Sequence, residues 1–285
     1  MSWLKRILYF LLLIALLAIA FIGLFIYRAA VGLPFYETEP HEVTIPSDKA
    51  AILIFSKTNG YVHRDAIKAS LPAFRKMAED NSWFLYETKD AGIFNLEQLK
   101  QFETVVWNNV SGNVLTSEQR KDYKSYITSG GGFVGIHAAG DGSHTWDWYL
   151  DRLINTTFSH HPIKHQIQTA ILKMEMTQDT ALWSSLQTEW SHDEEWYIFN
   201  ENPRENGSNI LYTIDGESID PNGVIGPLQK SKTFGMGTDH PIVWYDYIGT
   251  GKAVYSSMGH TAQAFSNADH LQLLENAIKW TGGLE

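Results

Sequence analysis

The sequence predicts an α/β fold, a mostly parallel sheet with helices on both faces, preceded by one N-terminal transmembrane helix. Three observations predict it. Ile7 to Tyr27 is an almost unbroken apolar run, long enough to cross a bilayer as one helix. From Ala50 onward, short apolar runs alternate with segments of helical period, as in βαβ units. The first of those runs is apolar throughout, as expected of a strand buried on both faces of a parallel sheet.

The elements follow in order. Lys5 and Arg6 precede the span and Arg28 follows it, a positive-inside bias that puts the N-terminus in the cytoplasm and the domain in a periplasmic or extracellular space. A cleaved signal peptide is the rival, with Ala18-Ile19-Ala20 as its cleavage site, but the apolar run continues to Tyr27 and favours an anchor. Residues 29–49 hold Pro34, Pro40 and Pro46 and read as a tether, with His41 as a solvated residue in it. The domain, residues 50–285, is large enough for one α/β core.

"AAILIFS" (residues 50–56) is the first strand. Ile67, Leu71, Phe74 and Met77 then recur at three- and four-residue steps, a helix over Arg64 to Glu79 that Pro72 is expected to kink or shift. "WFLYET" and "ETVVWNN" are the next strands. Thr116-Ser117-Glu118-Gln119 is a capping-box pattern opening a helix that Gly130 stops, and Phe133 to His137 is the fourth strand. In the second half "HQIQTAILKMEM", "SNILYTID", "HPIVWYDY" and "GKAVYSSMGH" read as strands, some antiparallel. "NADHLQLLENAIKWTGG" closes the chain as a helix with Leu271, Leu274 and Ile278 on one face.

Composition excludes several chemistries. Without cysteine there is no disulfide, thiolate zinc site or thiol nucleophile. Residues 1–28 hold three of the 22 basic residues and none of the 32 acids, so the remainder carries a charge of −13. That charge repels phosphate backbones and argues against nucleic acid as a partner. The ten tryptophans and 13 tyrosines serve packing first, with sugar stacking as a second use.

Ligands of an open α/β sheet bind beyond the carboxyl ends of its strands. Asn59 to His63, Asn108-Asn109 and His137 to Asp141 follow the first, third and fourth strands and should crowd one edge. His137 lies between Gly135 and Gly140 in a strand-turn context like a nucleophile elbow, lacking its second glycine spacing. His63, His161, His240 and His260 also sit beside apparent strand ends, and of the pair His160-His161 one is expected to face a pocket. Asp193-Glu194-Glu195 precede an aromatic run; they read either as a solvated face or as carboxylates that orient an imidazole for acid–base work. Imidazole and carboxylate also suit zinc or manganese, but no HExxH or similar tight spacing appears, so a divalent metal would rest on dispersed residues.

"TNGYVHRDAI", "GGGFVGIHAAGD" with "WDWY", "FSHHP", "DEEWYIF" with "NPR", "DHPIVW" and "GKAVYSSMGHT" occur in that order from Ala51 to Gly283, and in them the chain resembles the ThuA-like, trehalose-utilisation family. The resemblance implies a fold related to class I glutamine amidotransferases and hence flavodoxin-like. Those relatives carry a cysteine in a G-x-C-x-G elbow where "GIHAAG" has His137, so cysteine-dependent amidotransfer is excluded. It further implies carbohydrate metabolism, on a disaccharide or its 3-keto derivative, alongside a sugar oxidoreductase. Carried over by motif, His63, His137, His161, Glu194 and His260 are expected to act in catalysis, with Asp141, His240 and Trp244 in the pocket; Asn108 joins the substrate-binding set from its place after the third strand. The leading expectation is a sugar isomerase, lyase or hydrolase in which His137, oriented by Asp141 or Glu194, moves a proton. The alternatives are a non-catalytic carbohydrate-binding accessory protein and a metal-dependent hydrolase. Two departures stand out: Ile154-Asn155 replaces a segment ending in glycine, and Lys252 stands where the family commonly has arginine.

Overall fold

The computed structural model describes residues 2–30, 32–40, 42–175, 181–223 and 230–284. His41 and Met176, the end of one strand motif, lie outside the described residues. Helix α1 (Trp3–Ala30) contains a span, Trp3–Arg28, long and apolar enough to cross a membrane, none of it buried against the domain; a signal sequence would have the same character. The domain then runs β1 (Ala51–Phe55), α2 (Arg64–Asp80), β2 (Phe84–Thr88), α3 (Leu96–Leu99), β3 (Thr104–Asn108), α4 (Ser117–Thr128) and β4 (Gly132–Ile136). It continues through α5 (Asp147–Tyr149), β5 (Phe158–His160), β6 (Gln168–Met174), α6 (Ala181–Ser184), β7 (Glu189–Glu194) and β8 (Ile198–Phe199). β9 (Asn209–Ile214), β10 (His240–Ile248), β11 (Gly251–Ser256) and α7 (Ala268–Gly282) complete it.

Nine strands form one sheet in the order β2-β1-β3-β4-β11-β10-β9-β6-β7. Strands β2, β1, β3, β4 and β11 are parallel; β10, β9, β6 and β7 extend them antiparallel. Helices cover both faces. Phe74 and Met77 of α2 pack with Leu274 and Ile278 of α7 in one core, and Tyr123, Tyr126 and Ile127 of α4 belong to the other. The central strands β1, β3 and β4 are buried at every position, which is why they lack polar alternation.

The local signals act as chemistry requires. Thr116 and Gln119 make both bonds of the capping box. Pro72 leaves α2 continuous: it sits on the exposed face, where the carbonyl of Lys68 that loses its partner is open to water. The final helix runs through Gly282, and Gly283 takes the left-handed cap at φ +63°. Strand β7, unanticipated in the sequence, alternates exposed and buried residues from Glu189 to Glu194. It pairs with β6, which meets β9 only at Lys173 and Met174, so the β6–β7 hairpin is free to curl over the carboxyl edge of the sheet.

The tether is more closely held than its composition suggests. The Leu33 amide donates to Asn59 O (2.8 Å), Asn59 Nδ2 donates to Phe35 O (2.9 Å), Glu37 pairs with buried Lys57, and the Val43 amide donates to Gln98. Proline-rich sequence here marks an extended strap on the domain, because its backbone groups find partners in the loops beneath.

Candidate functional site

Loops from four strand ends converge at the carboxyl edge. His63 follows β1, His137 follows β4, His260 follows β11, and Glu194-Glu195 ends β7 and turns back across the edge. His137 has φ +47°, a left-handed conformation that costs a residue with a Cβ about 1–2 kcal/mol. Tyr255 Oη holds the turn by donating to His137 O (2.8 Å), and Gly140 gives that ring room: a Cβ there would lie 2.4 Å from it. The elbow-like context therefore delivers an elbow-like backbone.

His137 Nδ1 lies 2.7 Å from Ser257 O. A carbonyl only accepts, so Nδ1 carries a proton and Nε2 is the variable site: without a proton it presents its lone pair, and with one it donates to a neighbouring carboxylate. That Nε2 stands 3.1 Å from His260 Nδ1 and 3.3 Å from Glu195 Oε2, and His260 Nδ1 is 3.1 Å from the same oxygen. His63 closes the group, its ring 4.8 Å from that of His137 and 5.0 Å from that of His260. Its buried Nδ1 has no hydrogen-bond partner among the described residues. One donor atom from each of the four residues lies within 4.8 Å of the other three.

The electrostatics follow from this packing. Burial works to raise the Glu195 pKa, but the hydrogen bonds of His137 and His260 outweigh it and hold the carboxyl well below its ordinary value. Burial, reinforced by the charges of His137 and His260, keeps His63 neutral far below the usual histidine range. Burial also opposes charge on His260, yet its bond to Glu195 wins and raises it.

Glu194 holds the frame beneath. Its carboxylate accepts from the amides of Gly259 (2.7 Å), His260 (3.2 Å) and Glu195 (2.8 Å), fixing both loops that carry donors. Gly259 is required there: it has φ +112°, and a Cβ would lie 2.7 Å from Ile136 Cγ2.

Above the donors opens a recess of about 420 Å³. Tyr61, Asp141, Phe158, His161, Gln166, Tyr197 and Lys232 line it with His63, Glu195 and His260. His161 Nδ1 stands 3.0 Å from Glu195 Oε1, which also accepts from Gln166 Nε2 (2.5 Å). His160 turns away to Ser159 Oγ and Pro221 O. Asp141 is tied by Oδ1 to the Ser143 amide (2.8 Å) and hydroxyl.

Of the residues expected from sequence, His63, His161, His260 and Asp141 line this recess, and His137 is buried beneath it in the donor group. Glu194 lies under it, and Glu195 holds the position facing the imidazoles. Strand alternation could have separated them: Trp190, His192 and Glu194 point inward along β7, which leaves Glu195 to the turn. Asn108, His240 and Trp244 are elsewhere. Asn108 is buried between Ser56 and Ser70; His240, the first residue of β10, reaches Tyr197 O (2.8 Å); Trp244 packs against Tyr255 in the core and donates to Ile154 O (2.8 Å). Asn108 and Trp244 spend their polar atoms on the fold, and His240 spends its Nε2 there. Ser257, whose carbonyl orients His137, carried no sequence signal because a backbone group has none.

Both departures from the family pattern are accommodated. Asn155 adopts φ +57°, a conformation asparagine tolerates in place of glycine, and its side chain reaches Ser208 Oγ (2.8 Å). Lys252 lies at the amino end of β11, over the Trp280 ring and bonded to Trp280 O, remote from the recess.

The fold is similar to a crystal structure of a ThuA-like protein from Bacteroides uniformis, with 23% identity and a TM-score of 0.67 over 88% of this chain and 95% of that one. It is also similar to a ThuA-like protein from Parabacteroides merdae (17% identity, TM-score 0.59, 84% and 91% covered). A β-galactosidase from Bacillus circulans shares the fold over 85% of this chain but 32% of its own (10% identity, TM-score 0.54). No curated protein matches in sequence. The ThuA family profile, described as trehalose utilisation, matches residues 51–281, which takes in every residue of the recess, and the chain belongs to that family.

Proposed function

We propose that the recess is a divalent-metal centre, for zinc or manganese, in a membrane-anchored enzyme acting on a disaccharide or its 3-keto derivative. One observation carries this. The donors of His137, His260 and Glu195 stand 3.1 to 3.3 Å apart. Edges of that length belong to a tetrahedron whose centre lies about 1.9–2.0 Å from each corner, close to the roughly 2.0–2.1 Å bonds that nitrogen and oxygen make to zinc. His63 is the fourth donor, and its partnerless buried nitrogen is consistent with a missing partner. The Ser257 carbonyl supplies the second-sphere bond that fixes a ligating histidine in the required tautomer.

A metal held by His63, His137, Glu195 and His260 would supply Lewis-acid polarisation of a sugar oxygen. The chain supplies proton transfer: Glu195 Oε1 engages Nδ1 of His161, which leaves Nε2 to exchange a proton with substrate in the recess. Asp141, Lys232 and Tyr61 offer hydrogen bonds to hydroxyls along the walls. Family membership supports carbohydrate as the substrate class. Lys5 and Arg6 before the span support an N-terminus in the cytoplasm and a domain outside it.

The test is elemental analysis of the purified full-length protein, then turnover of a disaccharide panel and its 3-keto forms before and after chelation. Stoichiometric zinc or manganese, with turnover lost on chelation and restored by the metal, is expected. Metal at background level in the wild type defeats the proposal. A second reading is favoured by His137, whose Nδ1 is committed to Ser257 O so that Nε2 is the nitrogen left to accept a proton, beside a His260 whose pKa is raised: base and acid side by side, working without metal. It predicts turnover that survives chelation.

A further inference from the structure

We infer that the mouth of the recess is a membrane-contacting face, seated on the surface of the bilayer that α1 enters. The inference rests on the anchoring half of the proposed function and is independent of the metal. The chain leaving α1 is clamped at once to the rim: Arg28 donates to Thr58 O (3.3 Å) and the Leu33 amide to Asn59 O (2.8 Å), in the loop that carries His63. Even fully extended, the five steps from Arg28 to Leu33 reach about 18 Å at most. The rim therefore stays near the bilayer surface whatever the tilt of the helix. Phe25 and Arg28 themselves help to line an outer recess with Tyr61, His63 and His260.

The rim is built for such a surface. Outside α1, the exposed large apolar side chains include Phe35 on the strap, Tyr61 at the recess, Ile163 and Ile167 just after His161, and Phe234 against His160. Tyr61 lines the recess and Ile167 an adjoining one with His260, while Ile163 and Phe234 stand two residues beyond its lining residues His161 and Lys232; exposed apolar side chains grouped in this way mark an interaction site. Arg28, at the end of α1, and Arg64, Lys68 and Lys164 of the domain are exposed beside this face; Asp65 lies among them, so basic groups outnumber the acid at the outer recess although the domain carries −13, and basic side chains held at a bilayer surface attract anionic headgroups. A globular partner would need none of this proximity to α1, whereas a bilayer meets all of it at once.

The absence of cysteine makes the test direct. Ile163→Cys, Phe234→Cys and Tyr247→Cys are each made in the full-length protein, labelled with an environment-sensitive fluorophore and reconstituted in phosphatidylcholine–phosphatidylglycerol vesicles. Some of the lipid carries a nitroxide near the headgroup. Tyr247 is the control: it is exposed, packs on Trp280, and pairs with Lys252 at the opposite end of the sheet. Flotation reads the anchor, and quenching reads the orientation. The expected result is co-flotation with loss of most fluorescence at 163 and 234 and little at 247. Co-flotation with equal, weak quenching at all three overturns the orientation, and failure to float overturns the anchor and the orientation together.

Discussion

Two sets of imidazoles invite comparison: His63, His137 and the half-buried His260 at the recess, and His240 and His270 in the core. In the core each ring donates to one backbone carbonyl, of Tyr197 or Ala264, while its second nitrogen meets no partner among the described residues. Burial then decides, pushing both down to about 4. At the recess the outer nitrogens of His137 and His260 instead face each other across a shared carboxylate. Burial alone silences a histidine; convergence of lone pairs on one point gives it a use.

The comparison breaks most severely if Glu195 is altered. Glu195→Gln should abolish bound metal and lower kcat/KM by about 10²–10⁴-fold, the range for loss of a proton-transfer system. Elemental analysis beside steady-state kinetics reads both, and retained metal would place the centre elsewhere.

Acid should act on the core set. Both core histidines are neutral when folded and take up a proton when unfolded between pH 6.5 and about 4, so the unfolded state binds more protons there and stability falls as pH falls. The loss approaches about 3 kcal/mol per histidine. Asp246 works in the opposite sense: burial pushes it up to about 6, its folded form holds the proton longer, and acidification returns part of the loss. Unfolding temperature measured across this window checks the sum, and His240→Gln should flatten the slope.

His161→Gln sharpens the division of labour. It should cost about 10²-fold in kcat with metal content unchanged, since His161 touches Glu195 Oε1 while the other donors meet Oε2. Loss of metal in this variant would make His161 a ligand. The smallest effect belongs to His240→Gln at neutral pH, about 1–2 kcal/mol of stability from a disturbed bond to Tyr197 O, with metal and turnover intact. A turnover defect there beyond the stability loss would bring His240 back into the site.

Much of the frame was legible because its signals are local. Apolar runs mark β1, β3 and β4, the capping box opens α4, and the turn after β4 places His137 at the crest. The misreadings share a cause. Trp244 and Asn108 lie near motif residues in sequence, but β-strand alternation and neighbouring packing turn their side chains into the core. Glu194 and Glu195 differ by one position, and one step along an extended chain reverses the side-chain direction. The proline-rich strap was read from composition alone, which does not show that Asn59 and Lys57 wait to bind it.

By itself the sequence determined the apolar N-terminal span, the α/β alternation, the exclusion of thiol chemistry and the histidines at strand ends, because periodicity, composition and turn residues act over a few positions. Only the tertiary structure decided that Glu195 rather than Glu194 faces the imidazoles, that Ser257 orients His137, and that one donor atom from each of four residues lies within 4.8 Å of the others. Those facts depend on loops from β1, β4, β7 and β11, separated by up to about 200 residues and meeting only because the sheet places their ends on one edge and the β6–β7 hairpin curls back over it.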